Sequence, residues 1–278
     1  MSEFEESPDL ATARAFASSW AHCFASTPYT REQYLDWISP IEPDDLAGRR
    51  VLELGCGNGG LLQFTAEYAR GGEVVGIDLG ESADIARRNL AEAGFRNAKI
   101  LREDLLRFAA DHPEAFDVVY CIGVLHHMES PRSGFRAVVD STRPGGRFHC
   151  WVYGREGTGL LRLFVEPLRT VTHRLPWWLN KYVVALPLAV PFFILSKSLR
   201  ALGDCAEHFP MGEYFRHIGV RGFAFHHHVV FDQLVTPRTT FIARGEIESW
   251  LADESGRVTD TYILPRNGNS WKFGGSRR

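Results

Sequence analysis

Cysteine is scarce in this chain of 278 residues: five in all (Cys23, Cys56, Cys121, Cys150, Cys205), odd in number and never spaced C-x-x-C. That spacing argues against a disulfide framework and against a structural zinc site, and it fits a reducing compartment. An excess of one charge is missing too. The 31 Lys and Arg nearly balance the 34 Asp and Glu, leaving a formal net charge of −3 and no basic footprint for nucleic acid. The opening stretch MSEFEESPDL is acidic and lacks the apolar h-region of a secretory signal, so a cytoplasmic protein is expected. There is no internal repeat, and only a short basic, Gly-containing tail is compositionally biased. Nor does an uninterrupted apolar run reach the ~20 residues that span a bilayer. One stretch, YVVALPLAVPFFIL (Tyr182–Leu195), falls short, and Pro187 and Pro191 are expected to break a straight helix there. Trp177 and Trp178 precede it, with Lys181, Lys197 and Arg200 around it. Residues 177–200 therefore suit peripheral membrane contact as well as a buried lid.

What is present is enough apolar material, 45% of residues, for a full globular core. From residue 50 onward, short strand-like runs alternate with helical spacing: Val51–Leu54, Glu73–Ile77, Ala98–Leu101, Phe116–Ile122 and Arg147–Tyr153 are the strands. The helices between them run from Gly60 to Ala69, from Ser82 to Ala93 with Gly94 as cap, and from Pro131 to about Ser141. FDVVYCI is too uniformly apolar for a half-exposed strand and is placed centrally. Alternation of this kind predicts a parallel sheet with crossover helices. It fails over residues 154–242, where a block rich in Leu, Pro and Trp precedes FHHHVVFDQLVTP. It resumes with a helix in Ala243–Gly256 and a hairpin pairing Val258–Leu264 with Ser270–Phe273. The expected organisation is a helical cap segment over 1–45, a nucleoside-binding core over 46–153, an inserted cap over 154–242, and the end of the core over 243–278.

Chemistry concentrates first in VLELGCGNGG, residues 51–60. Gly55, Gly57 and Gly60 fit G-x-G-x-x-G, the turn that carries a dinucleotide pyrophosphate onto a helix N-terminus. Glu53, Gly55, Gly57 and Gly59 equally fit E-x-G-x-G-x-G, which points to S-adenosylmethionine. Asp78, about twenty residues on, suits a ribose diol in either ligand. Three features separate the two. Glu53 suits a cationic amino group or sulfonium and repels a pyrophosphate. Asp104, in REDLL, can accept from an adenine amino group. The closing hairpin is one that a NAD domain does not need.

On these residues the chain resembles the class I S-adenosylmethionine-dependent methyltransferases, from Val51 to about Tyr153 and again from about Ala243. VLELGCGNGG looks like that family's first motif and VVGIDLGESADIARRN like its second. REDLL, FDVVYCIGVLHHMESP and RPGGRF look like those of the third, fourth and fifth strands. The resemblance implies an α/β fold: a Rossmann-like, seven-stranded, mostly parallel sheet with an antiparallel last strand, here carrying an inserted, mainly helical cap. It implies that Glu53, Gly55, Cys56 and Gly57 line the methionine end, Asp78 and Leu79 the ribose, and Asp104 and Leu105 the adenine. Cys121 would contribute at the tip of the fourth strand. Methyl transfer would leave S-adenosylhomocysteine. The same cofactor site also serves transfer or cyclisation that releases methylthioadenosine. A NAD-dependent oxidoreductase and a membrane-surface protein with a relic site are the readings from other classes.

Acceptor chemistry is less constrained. CIGVLHHM is not the Asn/Asp-Pro-Pro-aromatic tetrad that marks transfer to a nucleobase amine, and the acid and Asn set of metal-assisted enzymes is not evident, so no metal is expected. His126 and His127 follow the fourth strand and could supply a general base or simply shape the loop. In HHHVVFD, an extended conformation would put His226, His228 and Asp232 on one face, as a base with its orienting acid or as a metal set. The aromatics Phe16, Trp20, Phe24, Tyr29, Tyr34 and Trp37 could join the insertion in roofing the cofactor. Such a roof predicts a small, hydrophobic or lipid-like acceptor.

Overall fold

The computed structural model describes residues 7–21 and 29–278. Among the described residues seven strands form: β1 (Arg50–Leu54), β2 (Glu73–Asp78), β3 (Ala98–Arg102), β4 (Phe116–Ile122), β5 (Thr142–Tyr153), β6 (Val258–Arg266) and β7 (Ser270–Arg277). They make one sheet in the order β3-β2-β1-β4-β5-β7-β6. Pairing is parallel from β3 through β5, and β7 runs antiparallel to both of its neighbours. β1 and β4 are apolar almost throughout because helices cover both faces of a parallel sheet. Alternation sends Leu52, Leu54, Val119 and Cys121 to one buried cluster, and Val51, Val118, Tyr120 and Ile122 to the other. Phe135 is fully buried in the first cluster, against Phe148, Trp250 and Phe273. Burying a ring that size stabilises the fold by about 1.5–3 kcal/mol. Its helix, Pro131–Ser141, starts where expected: Ser130 accepts the Ser133 N–H, and Pro131 occupies a position whose own N–H has no helical partner.

The chain order reverses between β2 and β4 on either side of β1, which opens a crevice at their carboxyl ends. The insertion hangs over that crevice. Its two ends are stitched together: the Ile242 N–H donates to the Tyr153 carbonyl at 3.0 Å, and the Arg155 N–H donates to that of Ile242 at 3.0 Å. Between them the cap is helical, with two small cores of its own around Phe231 with Ala185 and around Phe215 with Leu199.

Two expectations for the cap need correction. FHHHVVFDQLV is not extended; it is the helix Phe223–Val235. Phe231, Leu234 and Val235 recur at helical spacing and pack on one face, and that burial outweighs the strand preference of Val229 and Val230. Nor do the prolines break the apolar stretch. Trp177–Ala201 is a continuous helical run, because wide π-type turns at Asn180–Ala185 lead into an α-helix whose first turn holds Pro187. A π-turn moves the preceding carbonyls away from a proline ring that would otherwise strike them, leaving Pro191 as the interior interruption. The run is therefore 25 residues long and two-sided: Leu188 and Phe192 line the cavity as a lid would, whereas Trp178, Tyr182, Val183, Ile194 and Leu195 are exposed.

Candidate active site

A cavity of about 970 Å³ lies over the carboxyl ends of β1, β2 and β4 and continues into the cap. That is at the top of the ~300–1,000 Å³ range of small-molecule sites, enough for a nucleoside and a second ligand. Its floor is the glycine loop. Gly55, Gly57 and Gly59 have φ of 82°, 54° and 77°, a region that side chains disfavour. A Cβ on Gly55 would stand 2.2 Å from a Val124 methyl, so here the β1 and β4 loops approach more closely than any side chain allows. Gly55, Cys56 and Asn58 line the cavity, so a ligand seated in this cradle meets the loop.

Acids surround it. Asp78, at the end of β2, accepts from the Gly57 N–H at 2.9 Å, the Gly80 N–H at 2.9 Å and the Ser82 hydroxyl at 2.5 Å. It thus shapes the loop as well as facing the cavity, and burial lifts its pKa. Gly57 is off the wall, its N–H engaged by Asp78, whereas Gly55, Cys56, Leu79 and Leu105 are on it. Asp104 caps the helix Leu105–Asp111, with Oδ1 accepting from the Leu106 and Arg107 N–H groups, and it lines the cavity; among the described residues Oδ2 has no hydrogen-bond partner. Glu53 is 1% exposed, and its Oε2 accepts from the Tyr120 hydroxyl at 3.0 Å. Tyr120 and Tyr34 both pair with the Thr65 hydroxyl, so a chain of hydroxyls ends on this carboxylate. Burial, with the nearby Asp78 charge adding to it, pushes the Glu53 pKa up to about 8. A cation arriving in the cradle would restore its ionisation.

Cys121 departs from the expectation. Its thiol lies in the core cluster on the other face of the sheet, and Ile122, one residue on, reaches the cavity. The period of two decides it. His126 must be corrected as well. It is fully buried against Tyr153, with ring centroids 4.1 Å apart, and Nδ1 faces the Tyr153 N–H. It is absent from the cavity wall, because successive residues of the tight turn Leu125–His127 point in different directions. His127 takes the wall position. Its Nδ1–H donates to the Arg238 carbonyl at 2.8 Å, which fixes Nε2 as the acceptor, and burial holds its pKa down to about 4.

The three cap histidines also diverge, by about 100° per residue. His226 pairs with the Gly222 carbonyl among Phe192, Phe193 and Phe225, behind the cavity wall, and His227 bonds the Lys181 carbonyl. His228 lines the cavity with Asp232, one turn further on, and Asp232 accepts from the Ser19 hydroxyl. The metal set His226, His228 and Asp232 therefore dissolves; among the described residues, no group of three His, Cys, Asp or Glu is arranged for a metal ion. Of the roof aromatics, Phe16, Tyr29 and Trp37 line the cavity, while Tyr34 is buried beneath it. The Trp20 side chain and Phe24 lie outside the described residues.

Sequence reasoning missed the supports. Tyr120 is the register partner of Glu53 across β1 and β4, a pairing recoverable once those strands are set side by side. Ser82, four residues after Asp78, is the helix-start hydroxyl that the motif conceals. Arg169 donates to the carbonyl and side chain of Gln233, which in turn donates to the Tyr153 hydroxyl; nothing local signals that link.

Comparison with known proteins settles the core. Residues 52–148 match a family model described as a methyltransferase domain. Over those residues the core is a methyltransferase domain, and its seven-stranded sheet has the fold of the class I S-adenosylmethionine-dependent methyltransferases. The ubiquinone biosynthesis O-methyltransferase of Stutzerimonas stutzeri is 40% identical over 116 residues, 41% of this chain and 47% of that protein. Its namesake in Aeromonas salmonicida is 32% identical over 163 residues, 56% of this chain and 66% of that protein. The chain thus spans about half the length of most of the curated relatives it is compared with. A solved O-methyltransferase family protein from Burkholderia thailandensis shares the fold, with a TM-score of 0.52 at 14% identity over 88% of this chain and 55% of that one. The cofactor of this methyltransferase domain is S-adenosylmethionine, and the cradle fits it: the loop at Gly55 on the cavity wall, the buried carboxylate of Glu53 for positive charge, and Asp78 and Asp104 for ribose and adenine.

Proposed function

We propose that this chain methylates an oxygen atom of a hydrophobic small-molecule acceptor held between the glycine loop and the cap. One observation carries the reading: a single cavity joins Glu53, Asp78 and Asp104 to the apolar side chains Phe164, Leu188 and Phe225 of the insertion. When bound, the cofactor supplies a methyl carbon activated by positive sulfur. Glu53 meets the positive charge, Asp78 takes the ribose hydroxyls, and the free oxygen of Asp104 takes the adenine amino group. Phe16, Tyr29 and Trp37 exclude water.

An oxygen acceptor is favoured by the relatives, which are named O-methyltransferases, and by the histidine on the wall. A hydroxyl needs a base. His127 is neutral at physiological pH, oriented through Nδ1, and takes the proton at Nε2. His228, backed by Asp232, binds the acceptor from the cap side. The exposed apolar face over 177–200 brings the enzyme to a membrane surface, on the cytoplasmic side; the free thiols Cys56, Cys121, Cys150 and Cys205 suit that compartment.

The test is incubation with methyl-labelled S-adenosylmethionine and an alkyl phenol, with products read by mass spectrometry. A labelled methyl ether and S-adenosylhomocysteine are expected. Methylthioadenosine, or label on carbon or nitrogen acceptors alone, would overturn the proposal.

A further inference from the structure

The exposed residues of the cavity wall differ in character between the core and the cap. Outside the cap the exposed wall residue is the acid Glu32, and the half-exposed Asp9 and Asn58 also line the cavity. At the cap end the residues that both line the cavity and stand exposed are Leu160, Phe164, Leu188 and Val220, with Phe164 66% and Val220 56% exposed. Apolar surface does not stop at that rim. Leu163, Val171, Trp177, Trp178, Tyr182 and Ile194 extend it across the cap, far beyond the scattered apolar residues of an ordinary surface.

Charge says what covers this face. Of the six cations in residues 158–202, Arg169 and Lys181 are buried within the cap, Arg162 is half-buried, and Arg174, Lys197 and Arg200 are exposed; the one acid of this stretch, Glu166, is half-buried, in a chain whose net charge is −3. Arg174, Lys197 and Arg200 are exposed beside the apolar residues, and the adjacent Trp177, Trp178 and Tyr182 are the side chains that settle at a bilayer's headgroup level. A protein partner would call for no such one-sided charge, whereas an anionic lipid surface attracts it. By length and composition the run Trp177–Ala201 could cross a bilayer, but one flank (Ala185, Ala189, Ser196, Leu199) is buried against the helices Gly212–Ile218 and Phe223–Val235. A helix held along one side by its own fold lies in the interface and does not span it.

We propose that the cap docks on an anionic bilayer with its apolar mouth against the acyl layer, so that the acceptor enters from lipid while the cofactor enters from water. This rests on the proposed methylation of a hydrophobic acceptor and narrows that acceptor to a lipid-phase molecule bearing a hydroxyl.

Flotation of the full chain with vesicles of phosphatidylcholine, with and without phosphatidylglycerol, tests it. The wild type should float with the anionic vesicles and much less with neutral ones. The double variant Trp178→Glu/Ile194→Glu, on exposed positions outside the cavity, should lose at least tenfold in bound fraction. Arg174→Glu/Arg200→Glu should lose the preference for anionic lipid. Both variants should keep the wild-type affinity for S-adenosylmethionine and the wild-type rate on a short, water-soluble phenol, and lose rate on a long-chain phenol dissolved in vesicles. A wild type that stays with the vesicle-free fraction overturns the proposal. So does sedimentation showing a dimer that Trp178→Glu/Ile194→Glu dissolves and vesicles do not displace, since a second copy would then cover the face. Floating protein that methylates neither phenol leaves docking intact and defeats the proposed activity instead.

Discussion

The two ends of the cavity are built from opposite materials. At the cofactor end, polar groups are buried and bonded to one another: Asp78 holds Gly57, Gly80 and Ser82, and Tyr34, Thr65 and Tyr120 hand hydroxyl bonds to Glu53. At the cap end, apolar side chains face outward, and the buried polar groups serve to fasten helices. A rigid, pre-bonded floor suits a ligand that is always the same, because preorganised groups cost little to align. An apolar cap suits a ligand recognised mainly by its removal from water. The same division separates the histidines: of the five at positions 126, 127, 226, 227 and 228, one from each end, His127 and His228, meets the cavity.

Disabling the proposed base should break this comparison most sharply. His127→Ala should lower kcat by about 10²–10⁴, with the Kd for S-adenosylmethionine within about threefold of wild type by calorimetry. A matching loss of cofactor affinity would make His127 a structural residue. Gly55→Ala forces a methyl group to 2.2 Å from Val124 at φ 82°; cofactor affinity should fall by more than about 100-fold, close to 3 kcal/mol. Thermal melting would show whether the loop or the whole domain gives way. Asp78→Ala removes a ribose acceptor and three internal hydrogen bonds. An affinity loss of about 10–100-fold is expected, 1.4–2.8 kcal/mol, and unchanged binding would refute its role.

Glu53 supplies a pH signature. An acid whose pKa is raised to about 8 is mostly neutral at pH 7 and must release its proton to face a cation. Cofactor affinity should therefore rise about tenfold per unit as pH climbs towards 8, then level off. Calorimetry at pH 7 in buffers of different ionisation enthalpy should record proton release, and Glu53→Gln should abolish both effects. At the small end, His226→Phe should leave turnover within about twofold, since the ring is off the cavity wall, packed behind Phe192 and Phe225, and phenylalanine can keep that packing. A large loss would place this side of the cap helix in the site.

The core was readable because its signals are local and repeated. Phe116–Ile122 and Pro131–Ser141 form at the residues expected, the one fixed by an uninterrupted apolar run, the other by a cap and a proline. Asp78, Asp104 and the glycines sit at strand ends, where their types and spacing speak directly. The cap was legible as an insertion but not in its shape. Val229 and Val230 suggest a strand; the helix packs Phe231, Leu234 and Val235 on Ala185, Val165 and Leu168, all more than forty positions away, and local residue types do not reveal those contacts. The misplacement of Cys121 and His126 has a simpler cause: each was one residue out in a turn or strand whose facing the residue types do not reveal.

The central claim is that one cavity joins a methyl donor's cradle to an apolar acceptor's berth. Rates of methyl-ether formation across alkyl phenols of increasing chain length test it most directly. Each methylene that leaves water for the cap contributes about 0.8 kcal/mol, so kcat/KM should climb about fourfold per carbon until the cap is filled. A flat or falling series, with activity confined to polar acceptors, would contradict the account.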